Sequence, residues 1–134
     1  MSAENVAIVK AIYAAFETGD VATVTAAMSP DIEWNEAENF PYSDGNPYRG
    51  ADAILGGVFA RIGGEWDGFA VEPREFVDGG DTVVMTGRYK GTYKATGRTI
   101  NAQVAHFWTL EGGKVVQFQQ LVDTLAVARV VGSV

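Results

Sequence analysis

TINAQVAHFWTLEGGKVVQFQQLV, residues 99–122, is the stretch that decides the fold of this chain. Its two halves, 99–110 and 114–122, are rich in β-branched and aromatic residues, and Glu111-Gly112-Gly113 separates them at the spacing of a hairpin turn. Two further runs of the same character, 69–77 and 82–94, precede it, again with glycine-containing turns between them. Four consecutive runs of this kind predict an antiparallel sheet in the C-terminal half.

The N-terminal half has helical spacing instead. Apolar residues recur from Val6 to Phe16 at the period of an α-helix, and the pattern stops at Gly19. The segments that follow are, in order, a short helix capped by Asp20 and ended by Ser29-Pro30, a strand over 31–36, a turn-rich loop over 40–50, and a third helix that ends before Gly63. The order ααβα followed by four strands predicts an α+β domain with three helices on one face of the sheet.

Length and composition predict a single globular domain over residues 1–134. Hydrophobic residues make up 47% of the chain and charged residues 20%, a balance that can bury a core. The formal charge of -7 disfavours nucleic acid and anionic membrane surfaces as partners. Because no apolar run approaches the length of a membrane span and the first residues lack a signal-peptide pattern, we expect a cytoplasmic protein.

The residue types present limit the chemistry that is available. The chain has no cysteine and one histidine, His106, which excludes thiolate nucleophiles, iron–sulfur clusters and histidine-rich metal sites. We therefore expect no metal and no other cofactor. Carboxylate chemistry, tyrosine chemistry and plain binding remain.

Several motifs, taken in their order, resemble one known family. They are Gly19-Asp20, Pro30-Asp31-Ile32-Glu33-Trp34, Tyr48-Arg49-Gly50-Ala51-Asp52 and the run from His106 to Val116. The chain resembles the SnoaL-like, ketosteroid-isomerase-related branch of the nuclear transport factor two superfamily. The resemblance implies a cone-shaped curved sheet, helices that enclose a hydrophobic cavity holding a small apolar molecule, and a homodimer through the outer face of the sheet. It does not fix the chemistry, because one fold can carry many activities.

The resemblance to ketosteroid isomerases is incomplete at the site. It places Glu36 where those enzymes have their carboxylate base. The two positions that hold the donors to the developing oxyanion are occupied here by Ile12 and Ala105. Since the charge of a dienolate needs such donors, ketosteroid isomerisation is disfavoured.

The other enzyme classes of the superfamily fit unequally. Arg88 and Asp123 resemble two of the residues of limonene-type epoxide hydrolases, but Lys90 stands where the partner carboxylate belongs, so this activity is also disfavoured. For Asp123 the favoured interpretation is a cap on a short C-terminal helix. The polyketide-cyclase-like mechanism, in which one acid–base group removes a proton next to a carbonyl, is contradicted least.

Glu36 is the candidate catalytic residue. It lies two positions after Trp34, so a regular strand points both side chains to the same face. An apolar environment raises the pKa of a carboxyl group, which suits it to proton exchange near neutral pH. Two alternatives stay open: Glu36 reaches water at the end of the strand, or it pairs with Arg88.

The candidate ligand-binding residues follow from strand alternation and from the resemblance. In the aligned relatives the position before His106 points into the cavity, which predicts that Gln103 and Phe107 point inward and that Val104, His106 and Trp108 point to the dimer face. On the last strand the same reasoning predicts an inward Phe118 and Gln120. The full set of candidates is Tyr13, Trp34, Arg88, Gln103, Phe107, Phe118 and Gln120.

Three hypotheses about function remain. The first is a cofactor-free acid–base enzyme of the isomerase, cyclase or dehydratase type, acting on an apolar carbonyl compound. The second is a non-catalytic binding protein for an apolar metabolite, and the third is a dimeric interaction module. A buried Glu36 in an apolar cavity favours the first, and a carboxylate paired with Arg88 favours the second.

Overall fold

The computed structural model describes residues 2–134. Its elements are, in chain order, α1 (Ser2–Thr18), α2 (Val21–Ala26), β1 (Met28–Asn35), a 3₁₀ turn (Pro41–Gly45), β2 (Tyr48–Arg49), α3 (Ala51–Ile54), a π-helical turn (Leu55–Phe59), α4 (Ala60–Glu65), β3 (Trp66–Gly79), β4 (Thr82–Tyr93), β5 (Thr99–Glu111), β6 (Lys114–Val122) and α5 (Thr124–Val131). The predicted α+β class is confirmed. No helix of this part of the chain is both long and apolar enough to span a membrane.

The six strands form one open sheet in the order β2-β1-β6-β5-β4-β3. Every neighbouring pair is antiparallel except β1 and β6, which run parallel. The sheet is therefore mixed, which corrects the prediction of a purely antiparallel one. Register shifts interrupt the β3–β4 ladder, and such irregularities bend a sheet. The sheet is curved, and α1 packs against β3 and β4.

The boundary between the first two helices follows the prediction. α1 ends before Gly19, whose φ of 71° lies in the left-handed region that suits glycine. Asp20 caps α2, because its side chain accepts a hydrogen bond from the backbone N–H of Thr23 at 3.1 Å. At the other end of the chain, Asp123 caps α5 in the same way, with its Oδ1 3.1 Å from the backbone nitrogen of Ala126. Both predicted caps are confirmed.

Two boundaries differ from the prediction. α2 ends at Ala26 rather than at Ser29-Pro30, because Met28 already pairs with Val115 of β6. Pro30 lies inside β1, where the ladder with β6 shifts register and a missing N–H is tolerated. The third helix is one run over residues 51–65, with the π-helical turn in its middle, and β3 begins at its end.

The inward face of β5 is the opposite of the predicted one. The residues of this strand that are buried are Ile100, Ala102, Val104, His106, Trp108 and Leu110. Gln103 and Phe107 alternate with them and lie on the outer face. The prediction took the phase of the strand from the aligned relatives, whereas the apolar residues of the strand itself occupy the even positions.

The neighbouring strands keep a consistent alternation. On β6, Phe118 and Gln120 are buried, as predicted. On β4, Tyr89 is buried in line with Val83 and Met85, and Arg88 lies on the outer face.

Candidate functional site

A pocket of about 420 Å³ lies between the inner face of the sheet, the α1–α2 corner and the helical run over 51–65. The sheet contributes a largely aromatic wall, and the helices contribute apolar side chains from the opposite side. The main lining residues are Phe16, Trp34, Glu36, Val58, Phe59, Phe69, Tyr89, His106, Trp108, Phe118 and Gln120. The pocket is therefore suited to an apolar molecule that also carries polar atoms.

Strand register builds the aromatic wall. Trp34 of β1 pairs with Phe118 of β6, and Phe118 pairs with Trp108 of β5, so the three side chains share a face. The rings of Trp34 and Phe118 stack with centroids 3.7 Å apart, and the ring of Trp108 meets that of Phe118 edge-on at 4.6 Å. All three side chains are buried, which leaves little water along this wall.

Glu36 is the carboxyl group of the pocket. The residue is 3% exposed and directly follows the end of β1. Its Oε2 accepts a hydrogen bond from Trp34 Nε1 at 3.2 Å, which is the single hydrogen bond to this carboxyl group within residues 2–134. Asn46 holds the backbone of Glu36 with two hydrogen bonds, of 2.9 Å to its N–H and 2.8 Å to its C=O. The carboxyl group is thus fixed in position but weakly solvated.

Burial raises the pKa of Glu36 to about 8, because the charged form loses its water. The hydrogen bond from Trp34 and the charge of Arg61 lower that pKa, but by less. Arg61 itself is bound to Asp44, with 2.7 Å between Nη1 and Oδ1. At pH 7 about a tenth of the Glu36 carboxyl groups are therefore ionised.

Arg88 does not take part in this site. On the outer face its guanidinium group donates to the side chain and to the backbone C=O of Asn101, both at 3.0 Å. A Glu36–Arg88 pair inside the cone, one of the two alternatives left open for Glu36, is therefore wrong. Within residues 2–134, no side-chain cation forms an ion pair with Glu36, and Arg61 acts on it only through its charge at longer range.

His106 lies at the centre of a buried hydrogen-bond chain. Its Nδ1 is 2.5 Å from the hydroxyl oxygen of Tyr13, and its Nε2 is 2.6 Å from that of Tyr89. Burial lowers the pKa of His106 to about 3, so the imidazole is neutral at physiological pH. The interpretation of His106 as a residue of the dimer face is wrong, because the phase of β5 turns it inward.

Two further groups extend this chain. Trp108 Nε1 donates to the hydroxyl oxygen of Tyr13 at 2.8 Å, and Gln120 Nε2 donates to that of Tyr89 at 2.7 Å. The other atom of the Gln120 amide, Oε1, accepts from the backbone N–H of Ala37 at 3.0 Å. Gln120 thus points inward as predicted, and its amide is held by the backbone and by Tyr89.

The structure brings together only part of the predicted set. Trp34, Glu36, Phe118 and Gln120 line the pocket. Tyr13 is buried behind His106 and is not part of the pocket wall. The remaining three candidates, Arg88, Gln103 and Phe107, lie on the other side of the sheet.

Sequence reasoning missed Tyr89. Its neighbours Arg88 and Lys90 are both charged, whereas Val83, Met85 and Tyr89 share the opposite parity. This alternation was the signal that could have placed the tyrosine on the inner face. Within residues 2–134, no group of three His, Asp or Glu side chains is arranged to hold a metal ion.

Comparison with known proteins gives a family and several solved structures. Residues 9–118 match the SnoaL-like domain family. No curated protein sequence matches the chain. An NTF2-like protein from Burkholderia thailandensis is 43% identical, with a TM-score of 0.91 over 95% of this chain and 96% of that chain.

Two further solved structures are similar to this chain over nearly its whole length. TerC, crystallised with polyporic acid, is 28% identical, with a TM-score of 0.85 over 96% of this chain and 98% of TerC. A protein from Jannaschia sp. CCS1, described as a SnoaL-like polyketide cyclase, is 18% identical with a TM-score of 0.84, and it covers 98% of this chain and 94% of its own. At that identity the likeness to the Jannaschia protein concerns the fold alone. The predicted cone-type α+β fold is confirmed by these structures.

Proposed function

The chain belongs to the SnoaL-like domain family, and from that premise we propose that it is a cofactor-independent acid–base enzyme acting on an apolar carbonyl compound, with Glu36 as the base. One observation carries the proposal. Glu36 is a buried carboxyl group in an aromatic pocket, and among residues 2–134 it has a single indole donor and no ion-paired cation. A carboxyl group held in this way has a pKa of about 8, in the range in which it can both accept and return a proton.

The proposed reaction starts with removal of a proton by the Glu36 carboxylate from the carbon next to a carbonyl group. The electron pair of that C–H bond forms the C=C bond of an enolate, and the negative charge moves to the former carbonyl oxygen. Glu36, now a carboxylic acid, then returns its proton. Reprotonation at another carbon gives an isomerase. Attack of the enolate carbon on a second carbonyl carbon of the same molecule gives a cyclase, and the Glu36 proton then goes to the new alkoxide oxygen. Loss of a β-hydroxyl group as water, with the Glu36 proton going to the leaving oxygen, gives a dehydratase.

The pocket lining supports an apolar, ring-containing substrate. Trp34, Trp108 and Phe118 present aromatic surfaces on the sheet side, and Phe59 closes against Trp34 with ring centroids 5.6 Å apart. Aromatic walls of this kind favour flat, unsaturated molecules by stacking and by exclusion of water. The presence of polyporic acid in the TerC crystals is in line with this substrate class.

The second candidate function is a non-catalytic binding protein for an apolar metabolite. It is favoured by the same aromatic wall, which would hold such a molecule whether or not it reacts. The burial of Glu36 and the absence of a pair with Arg88 favour the enzyme. Burial of an unpaired carboxyl group costs free energy, and a role in proton transfer accounts for that cost, whereas plain binding of an apolar molecule does not.

Exchange of the α-protons of a simple ketone tests the proposed function. We expect the protein to accelerate deuterium incorporation into 1-tetralone in D₂O, measured by NMR against the protein-free rate. Because the carboxylate is the active form, the accelerated rate should rise about tenfold per pH unit below about 8 and level off above it. An absence of acceleration at pH 9, or a rate that falls as the pH rises towards 8, would contradict the proposal.

The homodimer stays a prediction. With the phase of β5 corrected, the outer face of the sheet presents Phe107 and Leu121, and Leu121 is 51% exposed. The cytoplasmic location, and the expectations of no cofactor and of no nucleic-acid or membrane partner, likewise stay predictions.

A further inference from the structure

Two obligate donors fix the direction of the buried hydrogen-bond chain. The indole N–H of Trp108 can only donate, so the hydroxyl oxygen of Tyr13 accepts from it. The backbone N–H of Ala37 can also only donate, which makes Oε1 of Gln120 the acceptor and leaves its NH₂ group to donate to Tyr89. Each tyrosine oxygen therefore already accepts one hydrogen bond before His106 is considered.

The neutral imidazole of His106 has one ring N–H and one bare nitrogen, which allows two arrangements. In the first, Tyr13 donates to the bare Nδ1, and the Nε2–H group donates to Tyr89. In the second, the Nδ1–H group donates to Tyr13, and Tyr89 donates to the bare Nε2. The two arrangements differ in which tyrosine keeps a hydroxyl proton without an acceptor.

The position of the two tyrosines decides between these arrangements. In the second arrangement the proton of Tyr13 is left over, and within residues 2–134 no further acceptor contacts that buried hydroxyl group, which is not part of the pocket wall. A buried hydroxyl proton without an acceptor is costly. In the first arrangement the hydroxyl group of Tyr13 accepts from Trp108 and donates to His106, so both its oxygen and its proton have partners. The proton without an acceptor then belongs to Tyr89, which lines the pocket. The first arrangement is therefore favoured.

We infer that the hydroxyl group of Tyr89 donates a hydrogen bond to an oxygen atom of the bound ligand, and that the Nε2–H tautomer of His106 holds it in this role. This inference rests on the proposed function where the ligand oxygen is that of the enolate. Tyr89 and Glu36 both line the pocket, close enough for the charge of Glu36 to influence Tyr89. A ligand between them would lose its α-proton to Glu36, and its carbonyl oxygen would accept a hydrogen bond from the hydroxyl group of Tyr89.

Tyr89 supplies the donor that Ile12 and Ala105 do not. Tyr89 comes from the middle of β4, and it receives two hydrogen bonds, from His106 and from Gln120, before it donates its own. Donors that are already fixed in position stabilise a developing oxyanion without reorganising. His106 and Tyr13 are positioning residues in this arrangement, because they act through Tyr89.

The tautomer can be measured directly, because the chain has one histidine. In protein labelled with ¹⁵N at histidine, the two ring nitrogens of His106 give separate signals whose shifts report which one carries the proton. We expect the proton on Nε2 in the ligand-free protein at pH 7. A proton on Nδ1 would overturn the inference, whatever the catalytic activity of the protein.

The second part of the experiment uses 2-naphthol, an aromatic hydroxyl compound that resembles an enol, and follows its fluorescence on binding. Tyr89→Phe is expected to raise the dissociation constant about 2- to 10-fold and to slow the exchange of 1-tetralone at least 10-fold. Tyr93→Phe, the same change on the same strand at a residue beside Trp66, is expected to change neither.

The outcomes separate this inference from the proposed function. Equal binding of 2-naphthol by the Tyr89→Phe variant and the original protein, or no binding by the original protein, would overturn the role of Tyr89. Weaker binding of 2-naphthol by the Tyr89→Phe variant, together with exchange that does not depend on Glu36, would support the donor site and contradict Glu36 as the base.

Discussion

Glu36→Gln is expected to slow the exchange of 1-tetralone α-protons about 10²- to 10⁴-fold, which is the usual contribution of a general base. The amide has nearly the same shape as the carboxylic acid and can still accept the hydrogen bond from Trp34 Nε1. It cannot take up a proton at any pH used in the assay. The variant should therefore fold and bind 2-naphthol as before while its exchange rate approaches the protein-free rate.

A neighbouring residue provides the matched control. Glu38 lies two positions further along the chain and is exposed, so Glu38→Gln makes the same side-chain change in the same segment without touching the pocket. Its exchange rate should equal that of the original protein. A loss smaller than about 10-fold in Glu36→Gln would assign Glu36 a structural role instead.

Gly57→Ala is expected to produce the largest loss of stability among the single changes considered. Gly57 lies in the π-helical turn over the pocket, and an added Cβ would overlap the ring of Tyr48. That ring cannot move away easily, because it is buried and its hydroxyl group donates to the backbone C=O of Tyr42 at 2.6 Å. Overpacking of this kind typically costs about 1–3 kcal/mol of unfolding free energy.

Gly56 is the control for this substitution, since it occupies the same turn and an added Cβ there meets nothing within 4 Å. Gly56→Ala should leave the free energy of unfolding unchanged or raise it by up to about 1 kcal/mol, because alanine favours a helix. Urea unfolding of both variants measures the difference. Equal midpoints for the two variants would contradict the described packing of Tyr48.

Strand β5 carries its own signal for which of its faces points inward. The alternation of the strand itself already separates Ile100, Val104, Trp108 and Leu110 from a more polar set, and it indicates the inner face correctly. The prediction relied on the phase of distant relatives instead. Because a shift of one position turns every side chain to the other face, this choice misplaced Gln103, His106 and Phe107 together.

Other features could not be derived from local patterns. The parallel pairing of β1 with β6 joins strands from opposite ends of the chain, and neither strand carries a signal for its partner. The hairpins of β3 to β6 were predictable, because each depends on a short turn between adjacent strands. For the same reason the contact between Trp34 and Glu36 was predictable, because the two residues are two positions apart on one segment. The hydrogen bonds that join Tyr13, His106 and Tyr89 were not predictable, because these residues come from different elements of the fold.

The titration of Glu36 is the most direct test of the claim that burial keeps this carboxyl group largely protonated at neutral pH. In protein labelled with ¹³C at the glutamate side-chain carboxyl carbon, the Glu36 signal is the one that disappears in the Glu36→Gln variant. We expect this signal to titrate with a pKa of about 8, because burial disfavours the carboxylate. A pKa near 4.5, the value of an unperturbed glutamate, would mean that water or a cation reaches Glu36, and it would contradict the account of the site.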